Sequence, residues 1–388
     1  MRLPPRLHLS ALAPLSAFRL HPPWLPLAAA AAWACLACAP AGAATLEVAP
    51  AAGHHPIQTA LDRAHPGDTV LVAPGDYEER IVLPSGVTLR SRDGAAATRL
   101  LGDLRGSVVL IQDADSLTRL EGFTVSRGRS THLPEVRLEG GGGVLAYRAA
   151  VRLRDNIFTD NQLEVGLGVG GGVALWECPA VLERNVFDGN SANGGGGLYA
   201  RACSLLVVRG NRFVHNHAVA RGGGVELDHG TQGLFEGNVL ERNDGGWGGG
   251  LMVGPVTWVE VLSNTVVANH AEHWGGGIFL LDCRTLVTRN LLAENYSGFH
   301  GGGLASGKAA FPDLRCNLGW HNVPGDFVVT EDSTEVPGSA DQLQEDPGLC
   351  SFLTGDFHPA PGGPADRAPC GLIGALPAEC PRAQKLVR

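Results

Sequence analysis

Lysine is nearly missing from these 388 residues: Lys308 and Lys385 are the only two. Arginine supplies the other positive charges, and the formal net charge is −9. A chain with that balance lacks the basic surface that neutralises phosphates, so nucleic acid is excluded as a partner. Long apolar runs are missing too. Past residue 44 no stretch reaches the roughly 20 apolar residues a membrane-spanning helix requires, and no transmembrane segment is expected. Glycine, by contrast, has 54 copies, about twice its usual share, and with so little lysine this is unlike a helical protein.

The one apolar stretch lies at the start. Arg2, Arg6 and Arg19 make a basic leader, Leu25 to Cys38 is almost wholly apolar and Ala-rich, and Ala41-Gly42-Ala43 offers small residues for cleavage. The stretch is too short and too Ala-rich for a good span, so residues 1–44 read as a signal peptide. Leu36-Ala37-Cys38 faintly resembles a lipoprotein cleavage box, with Cys35 where leucine is usual, which makes a lipid anchor at Cys38 the alternative. The expected location is secreted or at the cell surface. Export permits disulfides. Beyond the leader stand Cys178, Cys203, Cys283, Cys316, Cys350, Cys370 and Cys380, an odd count that leaves at least one thiol unpaired or shared between chains.

A repeat of about 26 residues dominates what remains. A Gly-Gly-Gly-apolar motif ends at Gly143, Gly172, Gly197, Gly224, Gly250, Gly277 and Gly303. At nearly fixed distance the first six are followed by Asn156, Asn185, Asn211, Asn238, Asn264 and Asn290, and five residues later by Asn161, Asn190, Asn216, Asn243, Asn269 and Asn295. Such periods mean stacked supersecondary units. After each glycine run comes a short alternating segment such as Val225-Glu226-Leu227-Asp228, which reads as a strand with one buried face. A second apolar strand and the Asn turn follow. No segment buries a core alone, but stacked coils bury a continuous one. Asparagine tolerates left-handed backbone and its amide can bond the identical Asn one coil away. Glycine at the other corner permits positive φ and close approach of backbones.

Ile57, Leu61 and Ala64 have helical spacing over a segment placed to cap the first coil. That segment and the Pro66-Gly67-Asp68 to Tyr77 stretch after it resemble the opening of pectin-lyase-like β-helix proteins. The Gly and Asn columns resemble the repeats of polymorphic outer-membrane proteins and of other secreted bacterial β-helix proteins. The resemblance covers roughly residues 55 to 310. It implies an all-β fold, a single-stranded right-handed parallel β-helix with an N-terminal capping helix, which as a monomer would occupy residues 45–310. Residues 311–388 read as a final irregular coil and a disulfide-pinned C-terminal cap, because Asp346-Pro347-Gly348-Leu349-Cys350 and Cys370 to Ala375 resemble the closure of such proteins.

Function is sought on the outward columns. Glu226 and Asp228 point out of one strand face, about 7 Å apart, with Arg201 one coil below Asp228 and His229 beside it. Such a pair suits acid–base cleavage of a glycoside or calcium binding, calcium being the expected cofactor of a lyase. The bland alternative is a surface ion pair between Asp228 and Arg201. At the corner before the glycine runs, Arg221, Trp247 and Trp274 form a column, with Asp244, His273 and Tyr296 close by. Aromatic faces beside polar groups suit sugar rings, and the alternative is that these indoles fold back over the glycine corner. The histidines lack metal-ligand spacing, so no metal is expected. Enzyme signatures known from similar folds are missing: Asp228-His229-Gly230 is the nearest approach to a polygalacturonase Gly-His-Gly motif, and no lysine besides Lys308 stands in the repeats to serve as a lyase base. The expectation is a non-catalytic protein binding a polysaccharide or cell-surface glycan. A polysaccharide-degrading enzyme using Glu226, Asp228, Arg201 and His229, and a structural spacer, are the alternatives.

Overall fold

A computed structural model describes residues 42–50, 55–114, 118–134, 138–163, 166, 168–330, 334, 336–338 and 342–380. Residues 1–41, and with them most of the expected signal peptide and Cys38, lie outside the described residues. The repeat closes into a parallel β-helix whose coils stack three long sheets. The first, of 11 strands, runs from Thr45–Val48 to Asp313–Arg315. The second, of 10 strands, runs from Gly75–Glu78 to Leu318–Trp320, and the third, also of 10, from Ile81–Val82 to Phe327–Val329. One coil shows the order: Leu206–Arg209 in the first sheet, Arg212–Val214 in the second, Val225–Asp228 in the third. Between second and third sheets a short strand such as His217–Arg221 pairs with its copies in a five-stranded corner sheet. The in-register coils run on past residue 310 to Phe327–Val329.

Period-two alternation builds the core. Val225 and Leu227 enter it while Glu226 and Asp228 do not, and each coil repeats the choice. In the second sheet Phe158, Phe187 and Phe213 stand in register and stack with ring centroids 4.9 and 4.5 Å apart.

Two asparagine ladders fasten the turns. Asn243 shows the pattern: its Nδ2 donates to Asn269 Oδ1 (2.9 Å) and to the Phe213 carbonyl (3.0 Å). Its Oδ1 accepts the backbone and side-chain N–H of Asn216, both at 3.0 Å. The left-handed residue at these turns is the one before the asparagine: Asp155, Arg184, Ser263 and Arg289 have φ between 50 and 55°. Asparagine is therefore selected for its amide, and the backbone tolerance expected of it falls to its neighbour. In the glycine triplets the first member takes positive φ, as Gly222 does at 63°. The other two admit the next coil, since a Cβ on Gly223 would stand 2.4 Å from the Gly249 carbonyl oxygen.

The ends are closed by separate devices. Helix Pro56–Leu61 buries Ile57 and Leu61, and the Glu79 carboxylate accepts the N–H groups of Ile57 (3.1 Å) and Gln58 (3.0 Å) at its start. At the other end Gln342 Oε1 accepts from Asn317, and Asp326 Oδ1 accepts from Asn322. The tail packs Phe357, Ala365, Ala368 and Ile373 against Val267, Leu291, Ala293 and Leu318 of the second sheet. Disulfide Cys316–Cys370 ties it to a coil and Cys350–Cys380 closes it on itself. Cys178, Cys203 and Cys283 are free and buried, so the first two face each other's coils as thiols rather than as a disulfide. No helix among the described residues is long and apolar enough to cross a membrane.

Candidate functional site

Two positions past each glycine triplet, Leu145, Ala174, Tyr199, Glu226, Met252, Phe279 and Ala305 pair coil to coil in one column of the third sheet. The column points away from the core, yet it is not on the surface. The corner strands fold over it and bury all seven side chains. Contact is close: a Cβ on Gly194 would come within 2.2 Å of Glu226 Oε2. The outcome is a second, outer core in two apolar patches. One holds Leu145, Ala174 and Tyr199 with Trp176 and Tyr147, the other Met252, Phe279 and Ala305 with Trp247 and Trp274.

Glu226 and Asp228 fall between those patches, 0 % and 2 % exposed. This corrects the expectation of a solvent-facing carboxylate pair. Alternation separates inside from outside of a coil, but it does not register a corner strand laid across the outside. Asp228 Oδ2 accepts the Tyr199 hydroxyl at 3.1 Å, and Oδ1 lies 2.7 Å from His229 Nδ1. Its oxygens are thereby engaged, and the Asp228–Arg201 ion pair does not form, although the two residues pair in register. Glycine makes room here as well, since a Cβ on Gly254 would sit 2.6 Å from Asp228 Oδ1. Arg221 Nε stands 3.1 Å from Glu226 Oε1. That is near enough for attraction but out of line for a hydrogen bond, so neither Glu226 oxygen has a hydrogen-bond partner among the described residues. Burial pushes the Glu226 carboxyl up to about 8 against the pull of Arg221. Burial, then the Glu226 and Asp228 charges, likewise hold the Tyr199 phenol above its ordinary range.

A second arrangement occupies the corner itself. His217, Asp244, His270 and Tyr296 pair in register, one per coil. Asp244 sits between the imidazoles, 2.9 Å from His217 Nδ1 and 2.5 Å from His270 Nδ1. The His270 ring stacks on Tyr296 at 5.4 Å with 3° between planes. Beside this column the His273 ring lies 4.9 Å from Trp247 on one side and 5.7 Å from Phe299 on the other. Trp247 and Trp274 stand 6.5 Å apart and tilted. Both are half-buried, leaning on the Met252–Phe279 patch, so the pair serves partly as a lid, as the alternative reading of these indoles has it. Phe299, 58 % exposed, and Tyr296 carry the open aromatic surface. Among the described residues no group of three or more His, Cys, Asp or Glu is arranged to hold a metal ion.

The family described as "Right handed beta helix region" matches residues 109–253 and 143–311, which together span more than half the chain. The chain belongs to the right-handed β-helix family. No curated protein and no solved structure gives a significant match. A β-helix protein takes its function from its sites and not from its scaffold, so the residues have to decide. Of the predicted set, Glu226, Asp228 and His229 come together with Arg221 and Tyr199. Asp244, His273, Tyr296, Trp247 and Trp274 share the corner, while Arg221 is turned to Glu226. Tyr199, His270 and Phe299 extend the two arrangements, and their signal in the sequence is column position. Trp258 and Phe311, exposed aromatics at the turn into the first sheet, lie outside every predicted column.

Proposed function

We propose that this β-helix protein is a non-catalytic glycan binder, exported and acting as a monomer outside the cytoplasm, that holds its ligand on the corner strip. One observation carries the reading: the neighbouring rings Trp247–His273–Phe299 and His270–Tyr296, set on a face that also carries Asp244, His217 and Glu272. At the ends of these runs Tyr296 and Phe299 leave aromatic surface exposed. Pyranose rings pack their apolar faces on such surfaces while their hydroxyls find neighbouring acceptors and donors. Two disulfides suit an oxidising compartment. The test is a glycan array probed with the full chain and with Tyr296→Ala/Phe299→Ala. Both side chains are exposed, so the variant should keep its melting temperature and lose binding at least tenfold, about 1.4 kcal/mol. Undiminished binding by the double variant moves the site elsewhere.

A specific observation favours a second reading. A carboxyl raised by burial beside a Tyr–Asp–His hydrogen-bonded set is the kind of environment in which acid–base catalysts are found. Polysaccharide cleavage lost in Glu226→Gln/Asp228→Asn, with or without calcium, would put the enzyme first. The burial of both carboxylates ranks it second.

A further inference from the structure

A groove of about 390 Å³ opens at the turn from the third sheet into the first. Register explains what lines it. Gln232 pairs with Trp258 in adjacent coils. The Trp258 N–H donates to the Thr231 carbonyl, the Arg284 N–H to that of Thr257, and the Phe311 N–H to that of Cys283. The same bond repeated in successive coils sets Gln232, Trp258, Arg284 and Phe311 in one column. Trp258 and Phe311 are 64 % and 66 % exposed. They stand two coils apart, about 10 Å along the axis. Arg284 lies between them, exposed, with no carboxylate of the described residues within ion-pair distance. Elsewhere on the coils Arg90, Arg99, Arg184 and Arg209 each meet an acid of a neighbouring coil.

We propose that this groove binds an aromatic carboxylate of about the size of benzoate. A flat ring between two aromatic side chains needs roughly 3.5 Å on each face, which two coil spacings accommodate. Below the ring, the Arg284 guanidinium offers a carboxylate two parallel N–H donors. Apolar walls at Val256, Ala309, Trp258 and Phe311 favour an aromatic ring over a sugar, whose hydroxyls would find few partners. The Thr257 hydroxyl is already given to the Pro255 carbonyl. Asp282, which also lines the groove, repels a second negative charge and selects a monoanion.

Calorimetric titration of the full chain with 4-hydroxybenzoate is expected to saturate, with quenching of tryptophan fluorescence. Arg284→Gln should weaken binding about tenfold or more, the effect of losing a charge-assisted pair. The neutral 4-hydroxybenzyl alcohol should bind the parent as weakly as the acid binds that variant. Trp258→Phe should keep much of the affinity and lose most of the quenching, which places the ligand at this ring. Absence of saturation at millimolar concentration overturns the proposal, and so does equal affinity of parent and Arg284→Gln. Glucuronate binding in place of 4-hydroxybenzoate overturns the aromatic assignment.

Discussion

At Glu226 the chain holds a carboxyl group with no exposure to solvent and no hydrogen-bond partner among the described residues, faced by Arg221, Arg201 and Asp228. Its ordinary value is 4.5, and in the folded protein burial lifts it to about 8. Between those limits the folded state keeps a proton that the unfolded state has released. Stability therefore falls as pH rises from about 4.5 to about 8, and stays at the lower level above that. Glu226→Gln should flatten this slope and leave the variant more stable than the parent at alkaline pH by roughly a few kcal/mol. Urea denaturation across the range checks it. A variant less stable than its parent at alkaline pH would mean that attraction to Arg221 outweighs burial. The sequence announces that Glu226 and Asp228 share an outward face, because alternation is local. It does not announce their burial, because the corner strands that cover them lie across the outside of the coil: Arg221 comes from the same coil and Gly194 from its neighbour, and a glycine has no side chain to read.

At the level of strands and turns, the asparagine ladders carry the most. A single Asn243→Ala substitution removes the acceptor of two Asn216 N–H groups and the donor to the Phe213 carbonyl, all buried. Leaving such groups unsatisfied should destabilise the protein by about 2–4 kcal/mol. Thermal melts of Asn243→Ala beside a surface control such as Arg209→Ala would show this, and equal melting temperatures would refute it. These columns were the most legible part of the chain: glycine and asparagine recur with their spacing intact, and each residue type has one physical task. The corner strands were less so. His217, Asp244, His270 and Tyr296 form a column by register, but their chemistry changes at every coil, and a column without a repeated residue type leaves only its neighbours' spacing to betray it. Trp258 and Phe311 share a column of the same kind, with Gln232 and Arg284 as its other members.

Over the whole molecule, two kinds of attachment coexist. The coils are held by backbone ladders and a continuous core, whereas the tail is held to the second sheet by one apolar patch, the Cys316–Cys370 bond and a few hydrogen bonds such as those of the Gly374 and Ala375 N–H groups to the Arg289 carbonyl and the Thr265 hydroxyl. Reduction should therefore loosen the tail and leave the coils. Hydrogen exchange with and without reductant is expected to rise around Phe357–Ile373 and Leu291, with Asn211 and Asn238 amides still protected. A uniform rise would mean that the tail and coils unfold as one. The motifs of the tail pointed to disulfide closure, but not to which face it would cover, since that choice rests on contacts distant in sequence. The ladders have one more consequence. Each asparagine gives its backbone N–H and one side-chain N–H to the asparagine of the next coil, and the successive steps are 29, 26, 27, 26, 26 and 27 residues long. That series ends on Gln342, whose own N–H groups go to the Leu314 and Gly338 carbonyls, and the other ladder ends on Asp326, whose carboxylate accepts from Asn322. Adding or deleting one whole step leaves every giver with a receiver, while an uncompensated shift of a few residues between the asparagines leaves both series out of phase. Length in this protein is thus quantised: its natural unit of gain or loss is the coil, and the two terminators can stay where they are while the number of turns between them changes.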